Sequence, residues 1–167
     1  LMVALGLIPT DDKRVPLSDA AGEIIEVGAN VSQWQVGDKV MSVCFPNWQS
    51  GPPKYDLLSF IGDNEDGYAT ESIAIPATAI TRIPNNMSLQ EAATLPCACL
   101  TAWRALVDEG KLKKGESVLV QGTGGVSMFA LQLAKSMGAK VIATSSTPEK
   151  LQKLKELGAD AVSYTHL

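Results

Sequence analysis

Histidine is all but missing from this chain of 167 residues; its single copy, His166, stands next to the C-terminal residue. That scarcity excludes a Ser-His-Asp catalytic arrangement and a zinc centre built on imidazoles from the sequence before it. Cysteine is scarce as well. Cys44, Cys97 and Cys99 are an odd number with neither a disulfide framework nor the spacing of a structural zinc lobe, so they read as reduced thiols of a cytoplasmic protein. Aromatic residues make up 5% of the chain and form no stripe; Trp34, Trp48, Trp103, Tyr55 and Tyr68 read as core or loop packing. Neither sign of charge dominates. Fourteen Lys and Arg stand against eighteen Asp and Glu, a net charge of −4, which leaves no basic field for nucleic acid or an anionic membrane surface. The longest apolar run, residues 1–8, is far short of the roughly 18 residues of a membrane span and lacks the basic start and cleavage site of a signal peptide.

What is present is 46% hydrophobic and 19% charged, the composition of one or two compact domains with a real core. Between Ala20 and Val43, β-branched residues alternate around Gly22, Gly28 and Val36-Gly37-Asp38, which predicts short antiparallel strands and tight turns. Residues 45–67 are rich in Pro, Gly, Asn and Asp without a period and read as a long surface loop, with Asp63, Glu65 and Asp66 as a solvated acidic face. Strand character returns at Tyr68 to Pro76 and at Ala79 to Ile83. Ser88 followed by Glu91 is a capping box that starts a helix. A second helix is predicted over Leu100 to Glu109, stopped by Gly110.

From Ser117 the period changes. Ser117 to Gln121 reads as a parallel strand buried on both faces, a helix follows over about 126–137 and ends at Gly138, and Lys140 to Thr144 is the next strand. Thr147-Pro148-Glu149 opens another helix with proline in its first turn, closed by Gly158. This is a βαβ unit and the first half of a doubly wound sheet. The chain starts with Leu1 and stops shortly after Gly158, so it reads as a fragment.

The most informative motif is Gly122-Thr123-Gly124-Gly125-Val126, set between the strand and the helix. Glycine at 122 permits a tight turn, and glycine at 124 lets the backbone approach a pyrophosphate that the helix N-terminus stabilises. Ser127, a small residue, stands at the third position of the usual fingerprint. The competing reading is a glycine turn that binds nothing. Where the second strand ends, an NAD enzyme wants a carboxylate for the ribose hydroxyls, and none is there. Ser145, Ser146 and Lys150 suit a 2′-phosphate instead, and the missing acid also counts against an S-adenosylmethionine site. Against this stands the plainer reading of Ser146 as a helix cap and Lys150 as a solvated charge. Cys97 and Cys99, with one residue between them, read as small core hydrophobes, and so does Cys44.

Pro16-Leu17-Ser18-Asp19-Ala20-Ala21-Gly22-Glu23-Ile24, Val36-Gly37-Asp38-Lys39-Val40, the run from Thr94 to Trp103 and the Gly122 loop resemble, in order and spacing, the medium-chain dehydrogenase/reductase superfamily. The similarity covers nearly the whole chain and is closest to quinone oxidoreductase-like and alcohol dehydrogenase-like members that work without zinc. It implies an α/β fold: a GroES-like β domain with connecting helices at 1–112, truncated at its N-terminus, then the first half of a Rossmann NAD(P)-binding sheet at 113–167, truncated at its C-terminus. In that family the active site lies in the cleft between the two domains.

The resemblance implies an NADPH-dependent oxidoreductase that passes hydride between the nicotinamide and a quinone, enone or carbonyl compound, NADH being the less suited cofactor. Gly122, Thr123, Gly124, Gly125 and Val126 would cradle the pyrophosphate, Ser145, Ser146 and Lys150 would read the 2′-phosphate, and Thr101 would sit near the nicotinamide. Zinc-dependent members carry Gly-His-Glu where this chain has Leu17-Ser18-Asp19, so Ser18 replaces a histidine ligand. Cys97 falls at a ligand cysteine and cannot hold a metal alone. No catalytic residue is assigned; the proton donor is water or lies in the segment expected before Leu1. Tyr68 has no assigned role. Ser163 to Leu167 depart from the family's Ile-Asn-Tyr strand ending and read as foreign to the fold. A small-molecule substrate and a homodimer complete the expectation. The alternatives are a zinc-type alcohol dehydrogenase and a non-catalytic nucleotide-binding relative.

Overall fold

The structure, a computed structural model, describes residues 13–55, 61–62 and 65–164. It divides into two compact units, Leu1–Cys97 and Ala98–Leu167. The division falls earlier than the boundary expected at 112/113. The reason is packing: Leu106 belongs to the apolar core of the second unit, and Val107 and Leu112 pack against it.

The first unit is built on a three-stranded antiparallel sheet of β1 (Ala21–Glu23), β2 (Lys39–Ser42) and β3 (Ile80–Arg82), with β2 in the middle. Gly22 lies opposite Val40 and Met41 opposite Thr81. Val40, Cys44, Ala79 and Ile83 form its buried apolar residues together with Ala92 of the short helix α1 (Leu89–Ala92). The capping box exists in both directions: the Glu91 N–H donates to the Ser88 hydroxyl at 3.2 Å and the Ser88 N–H to the Glu91 carboxylate at 2.9 Å.

One expected strand is absent. Gly67, Tyr68 and Ala69 donate their N–H groups to carbonyls of residues 15–17, and the chain then bends at Thr70 and Glu71 and runs to Pro76 without joining a sheet. Ile73 and Ile75 alternate as a strand requires, but this segment borders a cleft of about 670 Å³ opposite β1 instead of a ladder partner. Alternation specifies a face; pairing needs a neighbour.

Asp38 anchors the β2–β3 edge. Arg82 grips its two carboxylate oxygens at 2.9 and 3.2 Å, the Gln35 N–H adds a third bond at 3.0 Å, and the guanidinium lies 5.1 Å from the Trp34 ring centroid. Those donors hold the Asp38 carboxyl below the usual carboxylate range, with Arg82 the main cause. A depressed native pKa contributes stability that is complete above the unfolded value of about 3.9 and disappears as pH falls through the lower folded value. Asp38→Asn is therefore expected to lower stability at neutral pH and to flatten the acid limb below about pH 4, where wild type loses this contribution and the amide has none to lose. Chemical denaturation at a series of pH values checks this; parallel curves for the two proteins would refute it.

In the second unit one helical path leads to a parallel sheet. The path is wide-turned at Leu95–Cys99, α-helical at α2 (Leu100–Trp103) and wide-turned again at Arg104–Glu109. Strands β4 (Ser117–Gln121), β5 (Lys140–Ser145) and β6 (Ala161–Tyr164) then pair in parallel in that order, joined through α3 (Gly125–Ser136) and α4 (Pro148–Glu156). Two right-handed crossovers advancing in one direction put both helices on one face. Their contact with the sheet is a single core in which Val120, Val141 and Ala143 meet Leu131, Ala134 and Leu154. The expectation that β4 is buried on both faces is corrected accordingly. Leu119 is 59% exposed and Ile142, its partner in register, 41%, because both helices cover the opposite side.

The end of the chain also differs from expectation. Ser163 and Tyr164 do not depart from the fold: they extend β6, opposite Thr144 and Ser145. Residues 165–167, with His166, lie outside the described residues, as do Asp63 and residues 1–8. No helix among the described residues is long and apolar enough to cross a membrane.

Candidate functional site

The glycine loop sits where sequence places it, between a strand end and a helix start. Gly122 holds a φ of +78°, a conformation that costs a side-chain-bearing residue about 1 kcal/mol, while its N–H continues the β4–β5 ladder to the Thr144 carbonyl at 3.0 Å. Gly124 caps α3 in an ordinary extended conformation, φ −74° and ψ 169°. The first helical bond to close is Met128 N–H to the Gly124 carbonyl, so the N–H groups of Gly125, Val126 and Ser127 have no acceptor within the helix. A Cβ built on Gly124 meets no protein atom within 4 Å. Ser127, in place of the third glycine, donates its hydroxyl to the Gln121 carbonyl at 2.8 Å and ties the helix start to the strand end.

Gly125 has a different constraint, since a Cβ there would stand 3.2 Å from the Ala98 methyl. Ala98 begins this unit, and Thr101 lies three residues on along the same helical path, exposed. Helices α2 and α3 pack against one another. The structure thus brings the Thr101 segment and the glycine loop together through the packing of α2 on α3 rather than through sequence proximity, which is why only the resemblance pointed to Thr101.

The three residues expected to read a ribose phosphate separate into two groups. Ser145 is 5% exposed at the end of β5, so its hydroxyl belongs to the interior. Ser146 and Lys150 are exposed. Ser146 is not the helix cap: that role falls to Thr147, whose hydroxyl accepts the Lys150 N–H at 3.4 Å. No carboxylate stands at the end of β5; Glu149 is the nearest in sequence, in the first turn of α4.

In the first unit the Leu17-Ser18-Asp19 segment is tightly constructed. Leu17 adopts a φ of +80°, one of two non-glycine residues with positive φ among those described. Its carbonyl accepts the Tyr68 N–H at 2.9 Å, and the neighbouring Pro16 carbonyl accepts that of Ala69 at 3.0 Å. The Ser18 hydroxyl donates to one Asp19 oxygen at 2.5 Å and the Cys97 N–H to the other at 2.7 Å. Ala20 and Ser42 exchange bonds beside it: the Ser42 N–H to the Ala20 carbonyl, the Ala20 N–H to the Ser42 hydroxyl. Burial pushes the Tyr68 phenol up, and the Asp19 and Glu65 carboxylates add to the shift. Sequence reasoning saw Ser18 as a lost ligand and did not see Asp19 as the centre of this cluster. The only signal was its adjacency to Ser18.

This donor set does not fit zinc. The hydroxyl of Ser18 and both oxygens of Asp19 are engaged with one another and with the backbone, and no group of three His, Cys, Asp or Glu among the described residues could hold a metal ion.

Comparison with known proteins agrees with both halves. Residues 3–85 match the alcohol dehydrogenase GroES-like domain family, and residues 125–166 the zinc-binding dehydrogenase family. A zinc-type alcohol dehydrogenase-like protein of Schizosaccharomyces pombe is 44% identical over 164 residues, covering 95% of this chain and 47% of its own length. A 2-methylene-furan-3-one reductase of Solanum lycopersicum is 35% identical over 98% of the chain and 44% of its own length. The crystal structure of a candidate alcohol dehydrogenase from Sinorhizobium meliloti 1021 superposes with a TM-score of 0.88 at 40% identity, covering 96% of this chain and 49% of that one. The chain therefore spans about half the length of the relatives it matches. A GroES-like unit followed by the opening strands of a Rossmann-like parallel sheet, each matched by its own dehydrogenase family, makes this chain an alcohol dehydrogenase-like member of the medium-chain dehydrogenase/reductase superfamily.

Proposed function

We propose that the protein carrying this chain is an NADPH-dependent oxidoreductase that reduces a quinone, enone or carbonyl compound without catalytic zinc. The reading rests on the Gly122–Val126 loop, where three N–H groups of α3 have no helical acceptor and a Cβ on Gly124 would meet no protein atom within 4 Å. An unfilled space beside a helix N-terminus suits a pyrophosphate. At the end of β5, Ser146 and Lys150 offer a hydroxyl and an ammonium to a 2′-phosphate, with Ser145 directed to the interior. When bound, the nicotinamide supplies the hydride. The chain's part is to bind and orient: the loop takes the pyrophosphate, Thr101 takes a place beside the nicotinamide, and Ser146 with Lys150 selects the phosphorylated ribose. The substrate class is supported by the tomato relative, whose name describes an enone reductase. A small molecule as substrate and a homodimer as the assembled form belong to the same proposal.

Zinc independence rests on the donor set around Asp19. The zinc-binding family name attaches to residues 125–166, which contain neither Ser18, Asp19 nor a cysteine. Metal analysis of the complete protein is expected to find zinc far below one equivalent; one equivalent would establish the zinc-type alternative.

Cofactor choice is tested by fluorescence titration of the complete protein with NADPH and NADH. NADPH is expected to bind about tenfold more tightly, a difference of about 1.4 kcal/mol, and Lys150→Ala to remove most of that difference. Equal affinities for the two nucleotides would overturn the 2′-phosphate assignment, and absence of binding by either would reduce the loop to a turn.

A further inference from the structure

Leucine at position 17 is out of place on two counts, and no role described so far explains it. Its φ of +80° lies in the left-handed region, which a bulky side chain disfavours and a glycine enters freely. Its side chain is 56% exposed, so no burial offsets that conformation. The surrounding backbone enforces it. Val15, Pro16 and Leu17 each accept an N–H, from Gly67 at 2.6 Å, Ala69 at 3.0 Å and Tyr68 at 2.9 Å, and a Cβ on Gly62 would stand 2.9 Å from the Leu17 carbonyl carbon. Residues 62–69 thus clamp the turn while the leucine side chain stays open to solvent. The other non-glycine residue with positive φ among those described, Lys111, is a charged residue just past a helix end, where exposure is ordinary.

We propose that Leu17 determines substrate specificity: its side chain is the apolar contact for an alkyl substituent of the enone, quinone or carbonyl acceptor. The inference rests on the reaction proposed above and concerns the part of the acceptor that is not reduced. A turn held this tightly is formed more easily with glycine at 17, and backbone strain of this kind persists at sites where the strained residue meets a ligand. Ser18, the next residue, takes the position of a ligand histidine in zinc-dependent relatives, which sets the Leu17 turn beside the reacting group. The Ser18 hydroxyl proton is committed to Asp19 at 2.5 Å, and the Leu17 side chain offers a ligand only methyl and methylene groups.

The clamp suits this role. A side chain on a fixed backbone loses less freedom on contact than one on a mobile loop, so more of the apolar contact appears as affinity. It also holds the acceptor's chain in one direction relative to the carbon that receives hydride, so an acceptor with a long alkyl chain is preferred over its short homologue.

The experiment measures NADPH oxidation by the complete protein with acceptor pairs that differ only in alkyl chain: but-3-en-2-one and oct-1-en-3-one, propanal and octanal, and 2,3-dimethoxy-5-methyl-1,4-benzoquinone with its 6-decyl homologue. Leu17→Asn keeps the size of the side chain and tolerates positive φ, and Leu17→Gly relieves the strain altogether. Wild type is expected to have the larger kcat/KM for the long acceptor of the pair it uses. Both variants are expected to lower the long-to-short ratio about tenfold, through KM of the long acceptor, at unchanged NADPH affinity. Lys111→Gly, which relieves positive φ elsewhere, is expected to keep the wild-type ratio. Both Leu17 variants are expected to melt within about 2 °C of wild type or above it. A ratio that neither substitution changes overturns the proposal while the reductase reading stands. So does a fall in melting temperature beyond about 5 °C for both, which would show Leu17 packed inside the complete protein. NADPH oxidation with none of the acceptors overturns the reductase reading, and this inference with it.

Discussion

Gly124→Asp is expected to leave the second unit as stable as wild type, or slightly more so, and to weaken NADPH binding by about a hundredfold or more. The two effects part because they come from one side chain in one place. Gly124 has the extended backbone of a helix N-cap, and a Cβ there meets nothing within 4 Å. Aspartate is among the preferred N-cap residues, and its charge lies favourably against the helix dipole, a gain of a few tenths to about 1 kcal/mol. Its carboxylate would occupy the N–H groups of the first turn of α3, the donors that a pyrophosphate needs. Losing charge-assisted bonds costs about 1.5–3 kcal/mol, and a like charge about 4 Å away adds up to about 4 kcal/mol at an effective dielectric of about 20. Thermal melting and nucleotide titration on the same sample separate the outcomes. A variant that is stable and still binds NADPH with unchanged affinity would show that the glycine loop has no part in cofactor binding.

The second unit was the more legible in sequence. Its signals are local: Val118 to Val120 before Gly122, Thr147 and Pro148 at a helix start, Gly138 and Gly158 at helix ends, and each is a rule about a few consecutive residues. The structure keeps all of them, including positive φ at Gly138 and Gly158. What sequence could not show was which face of β4 the helices would cover, because a run of three apolar residues looks the same whether one side or both are packed. Leu119 and Ile142 settle that only in three dimensions.

The first unit was legible in outline and opaque in detail. Gly37-Asp38 marked a turn, but the grip of Arg82 on Asp38 joins residues 44 positions apart and follows from strand pairing. Residues 68–76 carried a strand's alternation, and the structure gives them no ladder. Asp19 is the clearest case of what was hidden. Its partners are Ser18 beside it and Cys97, 78 positions away, so half of the cluster leaves no trace in local sequence.

Gly67→Ala is expected to be the most damaging single methyl in the first unit, destabilising it by about 3 kcal/mol or more, beyond the usual cost of overpacking. In sequence this glycine is one more residue of a loop. In the structure its N–H donates to the Val15 carbonyl at 2.6 Å, and an added Cβ would stand 2.5 Å from the Pro16 carbonyl carbon and well inside contact distance of the Pro16 and Leu17 oxygens. Neither side can retreat cheaply. The opposing backbone is held by the N–H groups of Tyr68 and Ala69, and Leu17 already has positive φ. Making room for the methyl means breaking those bonds, and with them the support under Ser18 and Asp19. At about 2–4 °C per kcal/mol for a chain of this size, the melting temperature should fall by about 10 °C. Gly28→Ala is the matched control, since its Cβ would meet only a Val31 methyl at 3.8 Å, and it should stay within about 0.5 kcal/mol of wild type. Equal melting of the two variants would mean that the 15–19 segment yields freely, and that Asp19 is not held in place by the packing of Gly67 beneath it.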